Sequence, residues 1–299
     1  MTLNYRPSIG FIGLGAMGLG MARRLVQVGF SVRGYDVNPV AIQTLVQAGG
    51  QAATTAADAA QSADVFVLMV VSAEQVEEVL FGAGGAAGAL PPSSTVILCS
   101  TVKPEFARKT AARLADLGIT MLDAPVSGGE IGAIDGTLSI MVGGDEAAFA
   151  AVKPLLDVVG NPDKVIRIGD SGAGQICKVC NQMVIGGTLL AVSEAFALAR
   201  KSGVAPGRVR DALLGGFAAS RVLEVHGERI LKANYKPGFR AVLYGKDMRI
   251  AAETLAAHNS PAPGSAIVQR LVEELAASKG EMDYSALATV IFEMAGIDA

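Results

Sequence analysis

The chain has 299 residues, 51% of them hydrophobic, with 25 Lys and Arg against 28 Asp and Glu and a net charge of −3. That length exceeds the usual single domain, so two domains are expected. No basic stripe is present to neutralise phosphates, and with 10 Phe, 5 Tyr and no Trp the chain has few stacking platforms, so nucleic acid is excluded as a partner. The three cysteines, Cys99, Cys177 and Cys180, are too few for a disulfide framework and lack the second pair a zinc site needs. No His, Cys, Asp and Glu constellation at metal spacing occurs either, so no metal is expected.

Met1 to Ser8 is polar and short, and glycines interrupt the apolar run behind it before it could act as a signal or a membrane span. The chain is therefore expected in the cytosol, without a membrane partner. From Ile9 the pattern predicts a strand to Gly13, a helix over Met17 to Gly29, a strand from Phe30 to Asp36 and a helix near Pro39 to Ala48. A strand at Asp64 to Val71, a helix near Ala73 to Phe81 and a strand at Thr95 to Ser100 continue the rhythm. These are repeating βαβ units, hence a parallel sheet covered on both faces. A strand at Thr120 to Asp123, a hairpin around Gly136 leading into Thr137 to Gly143, and a strand at Lys164 to Ile168 complete the first half.

Beyond that point the period becomes helical. Gly174 to Ser202 reads as one long apolar helix, followed by segments near Pro206 to Leu214, Arg221 to Lys232, Lys246 to His258 and Ser265 to Ser278. The expected architecture is α/β: a doubly wound N-terminal sheet over residues 1–170, then an all-α C-terminal domain over residues 171–299, joined by the long helix. Gly186 and Gly187 lie inside that helix, where each costs about 1 kcal/mol relative to Ala, so close packing or a kink must offset them. So apolar a helical half predicts a homo-oligomer, dimer or tetramer.

Between the first strand and the first helix stands Gly13-Leu14-Gly15-Ala16-Met17-Gly18, the context that makes a G-x-G-x-x-G run specific for a dinucleotide in a Rossmann-type sheet. Gly13 permits the turn, Gly15 lets a pyrophosphate approach and Gly18 packs helix on strand. Asp36, 18 residues after Gly18, is placed to accept hydrogen bonds from the adenosine ribose. That favours NAD, with NADP possible because Arg33 lies upstream. Ligands in such sheets gather beyond the carboxyl ends of strands, which draws in Val70 and Val71 and also Ser100 and Thr101. The two hydroxyls either donate near the nicotinamide or the substrate, or simply terminate a strand.

Ser127-Gly128-Gly129, after Asp123, offers consecutive N–H groups and a hydroxyl, either a carboxylate nest or a plain turn. Lys178 opens an otherwise apolar helix and is either snorkelling or held in a cleft, with Asn181 one turn on along the same face. His226 and His258 fall outside these motifs and read as packing or surface residues, which weakens a histidine-based mechanism.

On these anchors, together with Lys178-Val179-Cys180-Asn181-Gln182 and Gly245-Lys246-Asp247, the whole chain resembles the β-hydroxyacid dehydrogenase family, whose branches act on 3-hydroxyisobutyrate, tartronate semialdehyde or threonate. The resemblance implies Lys178 as catalytic acid and base. It has Ser127, Gly128, Gly129 and Asn181 hold the carboxylate and hydroxyl of a small hydroxy or oxo acid, and Lys246 close over cofactor and substrate. In reduction the Lys178 ammonium would stabilise and protonate the developing alkoxide. In oxidation it must be neutral, which calls for a pKa lowered by burial and by the positive nicotinamide. Gly128 through Ser139 and Lys236 through Arg240 resemble the tartronate semialdehyde branch, whereas Val71 through Gly82 and Leu98 through Thr101 resemble the threonate branch. Asn181, in place of a histidine, favours the semialdehyde. Phe239 and Arg240 either line the pocket or pack helix on loop. Arg24 departs from the asparagine common in the family's first helix. Imine reductases share the architecture without needing a lysine at 178, and a non-catalytic nucleotide-binding scaffold would have no use for Lys178 and Asn181.

Overall fold

The computed structural model describes residues 6–297, so the residues 1–5 included in the reading of the N-terminus lie outside it. The chain folds as two compact units, the first ending at Lys178 and the second beginning at Val179.

The strands of the first unit are β1 (Ile9–Ile12), β2 (Val32–Tyr35), β3 (Gln51–Ala52), β4 (Val65–Leu68), β5 (Thr95–Leu98), β6 (Thr120–Asp123), β7 (Val126–Ser127), β8 (Leu138–Gly143) and β9 (Gly160–Gly169). Helices α1 (Ala16–Gln27), α2 (Pro39–Gln47), α3 (Ala56–Ala60), α4 (Ala73–Phe81), α5 (Pro104–Ala115), α6 (Gly129–Asp135) and α7 (Glu146–Val159) alternate with them. Every residue of β1 and β4 is buried, as continuous apolar runs must be when helices cover both faces of a sheet. The helix starts are written locally. Asn38 accepts from Val40 N with Pro39 at the first helical position, Ser72 accepts from Gln75 N, and Asp145 accepts from Ala148 N.

Strands lie in the order β3-β2-β1-β4-β5-β6-β8, parallel as far as β6, with β8 antiparallel to β6. β7 and β9 flank β8 on opposite sides, since Ile140 is paired with both Val126 and Val165. The direction of winding reverses between β1 and β4, so the sheet opens a crevice beyond the carboxyl ends of those two strands.

The predicted hairpin around Gly136 is corrected. β7 and β8 do pair antiparallel, but α6 connects them, and Gly136 is the left-handed cap that ends α6 (φ 68°, ψ 37°). A seven-residue helix containing two glycines has little helical pattern of its own. It forms because its buried Gly132 and Ala133 pack on α1, where a Cβ on Gly20 would stand 3.1 Å from Ala133. β9 extends beyond the predicted five residues, with register shifts where Pro162 and its polar neighbours depart from pairing.

Helix α8 (Ala173–Lys201) runs out of the first unit and supplies the first element of the second, which continues with α9 (Pro206–Leu214), α10 (Arg221–Leu231), α11 (Ala241–Ala257), α12 (Pro263–Lys279) and α13 (Leu287–Met294). The unit boundary lies eight residues past the expected 170/171. The first turns of α8 are tied to β6 by Asp123, which accepts from Gly172 N at 2.7 Å and from Gln175 N at 2.9 Å. Around Leu189, Phe196, Tyr244, Leu271, Leu275 and Phe292 the helices of the second unit form their own core.

The two glycines inside α8 differ. A Cβ on Gly186 would stand 2.6 Å from Tyr244 Oη and 2.7 Å from Val268 Cγ1, whereas one on Gly187 would meet nothing within 4 Å. Gly186→Ala is expected to cost about 1–3 kcal/mol through overpacking, and Gly187→Ala to raise stability by about 1 kcal/mol. Urea denaturation of the two variants reads the opposite signs, and a stabilised Gly186→Ala would refute the packing account.

Candidate active site

Beyond the ends of β1 and β4 the three glycines of the first turn have separate reasons. Gly13 has φ +91°, and a Cβ there would lie 2.3 Å from Met69 O. A Cβ on Gly18 would come within 1.9 Å of Gly13 O, so this glycine sets the approach of α1 to β1. Around Gly15 the space is open, and this residue caps α1 without any side-chain hydrogen bond, while the first turn of the helix holds no acidic residue. An uncapped helix N-terminus beside open space fits the diphosphate of a dinucleotide, through N–H groups and the positive end of the helix dipole.

Asp36 is more occupied than the sequence suggested. Its Oδ2 accepts from Leu14 N at 2.6 Å and its Oδ1 from Asn38 N at 2.8 Å. It therefore ties the glycine turn to the end of β2. Beside it Val37 is 90% exposed, an apolar surface that the sequence reading missed and that only the combination of exposure and neighbouring carboxylate reveals. Val71, beyond β4, is also exposed, with its N–H held by Gln75 Oε1 at 2.8 Å.

Ser100 does not present its hydroxyl as one of the expected readings had it. It is buried, its Oγ accepts from Val70 N at 2.9 Å, and its carbonyl accepts from Gln175 Nε2 at 3.0 Å. Thr101 is partly exposed next to it. Gln175, fully buried, also accepts from Val102 N at 3.1 Å, so one side chain clamps the loop after β5 to the start of α8.

That same helix start carries Lys178, one turn on. The residue is only 8% exposed, so its side chain does not snorkel, and Nζ donates to Val126 O at 2.8 Å. Val126 immediately precedes Ser127, Gly128 and Gly129, the last two exposed and in positive-φ conformations (143° and 67°) that free their N–H groups from strand pairing. Burial pushes the Asp123 carboxyl up from its ordinary value, and the N–H groups of Gly172 and Gln175 pull it back. Arg24, by contrast, is structural, donating to Val158 O at 3.1 Å.

In the second unit Asn181 donates from Nδ2 to Gln182 Oε1, and Gln182 from Nε2 to Asp247 Oδ2, both at 2.7 Å. Lys246 Nζ stands 3.2 Å from Asp247 Oδ1. Phe239 packs edge-on against Tyr244 and Tyr284, and Arg240 pairs with Glu281 at 3.1 Å, both within this unit. His226 is a packing residue, whereas His258 is an exposed residue at the end of α11. His226 Nε2 lies 2.6 Å from Tyr284 Oη, with burial lowering the imidazole pKa, and His258 Nδ1 lies 2.9 Å from Thr254 O.

Comparison with known proteins agrees with this geometry. Residues 8–172 match the NAD-binding domain of 6-phosphogluconate dehydrogenase, and residues 172–291 match the NAD-binding region of NADP-dependent 3-hydroxyisobutyrate dehydrogenase. The chain belongs to the β-hydroxyacid dehydrogenase family. It is 44% identical over 288 residues to the 2-hydroxy-3-oxopropionate reductase of Escherichia coli K12, covering 96% of this chain and 98% of that one. The L-threonate dehydrogenase of Cupriavidus necator is 37% identical, over 88% of this chain and 89% of its own. The crystal structure of 3-hydroxyisobutyrate dehydrogenase from Salmonella typhimurium superposes with a TM-score of 0.85 at 35% identity, covering 95% and 99% of the two chains. This chain is accordingly a nicotinamide-dependent oxidoreductase of CH–OH groups.

The distinct roles of the glycines are testable. Gly15→Ala is expected to leave folding stability unchanged and to weaken NADH binding about tenfold or more, because its methyl fills the diphosphate approach. Gly18→Ala should lose about 2 kcal/mol or more of stability. Fluorescence titration with NADH and thermal melts separate the two, and unimpaired binding by Gly15→Ala would remove the turn from the cofactor site.

Proposed function

We propose that this dehydrogenase interconverts tartronate semialdehyde (2-hydroxy-3-oxopropionate) and glycerate, with NAD(H) as the preferred cofactor, in the cytosol. The observation that carries the chemistry is Lys178. Its ammonium is buried, held by the Val126 carbonyl, and adjacent in the fold to the exposed N–H groups of Gly128 and Gly129. The choice of substrate is supported by the E. coli relative that shares 44% of its residues, and the cofactor preference by the Asp36 carboxylate, which repels a 2′-phosphate.

When bound, the dihydronicotinamide supplies a hydride to the aldehyde carbon. Lys178 donates a hydrogen bond to the aldehyde oxygen and transfers a proton as negative charge develops there. The Val126 carbonyl fixes the direction of Nζ, so little reorganisation is needed. Ser127, Gly128 and Gly129, which follow Val126, bind the substrate carboxylate. In the reverse direction the neutral amine removes the proton of the alcohol.

Lys178→Ala is expected to lower kcat/KM for tartronate semialdehyde by about 10²- to 10⁴-fold while leaving NADH affinity unchanged. Steady-state assays with NADH and NADPH, alongside oxidation of threonate and 3-hydroxyisobutyrate, check the acid and rank the substrates. Native kcat in the variant would remove Lys178 from the mechanism, and faster turnover of threonate or 3-hydroxyisobutyrate would replace the substrate. Binding of NADH without turnover of any of these would favour a scaffold.

The active form is proposed to be a homo-oligomer assembled through α8. That helix is long and apolar enough to cross a membrane, with a mean hydropathy of 1.5, yet only 44% of its most apolar stretch is buried. Val184 and Leu198 are 68% and 69% exposed, with exposed Gly187, Ala191 and Glu194 between them at helical spacing. Such a stripe suits a second copy of the helix. Light scattering should give a dimer or larger for the native chain and a smaller species for the Val184→Asp, Leu198→Asp double variant. A native monomer at micromolar concentration would contradict the assembly.

A further inference from the structure

The start of α8 is tied to two different strand ends, and every group involved lies in the first unit. On one side Asp123, at the end of β6, accepts from Gly172 N and Gln175 N. On the other, the Gln175 side chain reaches the loop after β5, where Nε2 donates to Ser100 O at 3.0 Å and Oε1 accepts from Val102 N at 3.1 Å. Those two backbone groups flank Thr101, so the amide pairs with the loop as a neighbouring strand would. A flipped amide would set oxygen against carbonyl and N–H against N–H, which fixes its direction. Gln175 is fully buried, and losing either bond would leave a backbone group unsatisfied away from water.

The ties continue past this loop. Ser100 Oγ accepts from Val70 N at 2.9 Å, so the ends of β4 and β5 and the first turn of α8 form one hydrogen-bonded set. Lys178 stands three residues after Gln175, on the same face of the helix, with Nζ held at Val126 O. What each tie does follows from the strand it reaches. Asp123 and Val126 belong to the stretch that runs into Ser127, Gly128 and Gly129, so they place the lysine against the proposed carboxylate nest. Gln175 places it against the ends of β4 and β5, on the cofactor side of the rim.

Resting on the proposed role of Lys178, we propose that Gln175 is a positioning residue that sets the spacing between the lysine ammonium and the nicotinamide end of the cofactor cleft. Cofactor affinity is left to the glycine turn and Asp36. A carbonyl is reduced only when hydride donor and proton donor approach it together. Slack between α8 and the loop after β5 therefore slows the step without loosening either ligand.

The test is Gln175→Met, which keeps the length and helical preference of the side chain and removes both bonds. Turnover is measured on whichever acid of the panel above reacts fastest, with kcat counted per NADH site from fluorescence titration. The variant is expected to lower kcat and kcat/KM together by about 10- to 100-fold, with KM and NADH affinity within about twofold of native. In the Lys178→Ala background the same change should cost less than about twofold, because the group through which it acts is gone. A merely structural glutamine would reduce the number of NADH sites or the melting temperature and leave kcat per site native. Hydrogen exchange of the enzyme without cofactor gives a readout apart from turnover. The Val102 amide should be protected in the native chain and exchange at least about tenfold faster in Gln175→Met. Should Gln175→Met not fold, Gln175→Glu, which keeps the bond from Val102 N and sets an oxygen against Ser100 O, is read by the same numbers. Native kcat per site, an effect fully additive with Lys178→Ala, or an unprotected Val102 amide in the native enzyme overturns the proposal while the assignment of Lys178 stands. Native turnover in Lys178→Ala removes that assignment, and the proposal with it.

Discussion

The buried carboxylate of Asp123 is the constraint from which the chemistry of the first unit follows. It ends β6 and receives the N–H groups of Gly172 and Gln175, two donors that the start of α8 would otherwise leave unsatisfied. Removing a carboxylate from water is costly, and the raised pKa caused by its burial is the sign of that cost. The return is orientation. With the first turn of α8 fixed on the strand end, Lys178 is set with its ammonium on Val126 O, and Gln175 is set to hold the loop after β5. Gly143 and Gly174 are glycines for the same reason, since a Cβ on either would collide with Asp123 atoms at 2.5–2.6 Å.

Polar groups in this unit are therefore buried for placement more than for stability. Ser100, which could have been a ligand contact, bridges the ends of β4 and β5, and Asp36 braces the glycine turn from the end of β2. Each replaces a hydrogen bond to water by one to backbone, at small net energy but with a strong penalty for leaving the position. The result is a set of strand ends tied by side chains, the kind of preorganisation that catalysis by fixed charge uses. At Gly15 and Gly129, by contrast, a Cβ would meet nothing within 4 Å.

The second unit uses the same economy on one face of α8. Tyr244 enters the notch at Gly186 to reach the helix backbone, and Asp247 orders Gln182, which orders Asn181. A carboxylate two residues removed along the hydrogen-bond chain thus sets which amide atoms face one another.

How much of this was legible in the sequence depended on whether the cause was local. Parallel strands announced themselves because burial on both faces demands unbroken apolar runs, as in Val65–Leu68. The glycine turn could be placed because a strand, a helix and Asp36 surround it at fixed spacing. Lys178 stood out because a charge inside an apolar helix needs a reason. What only the tertiary structure decided involves partners distant in the chain. α6 exists because Gly20 admits Ala133, so Gly136 ends a helix where a hairpin was read. Ser100 turned inward because Gln175, 75 residues later, waits for its carbonyl. The orientation of the Asn181 amide is set from Asp247, which lies 65 residues beyond the intervening Gln182. Period and turn chemistry travel with the sequence because they act within a few residues, whereas the direction of a buried hydrogen bond is fixed only once the fold has brought its acceptor into place.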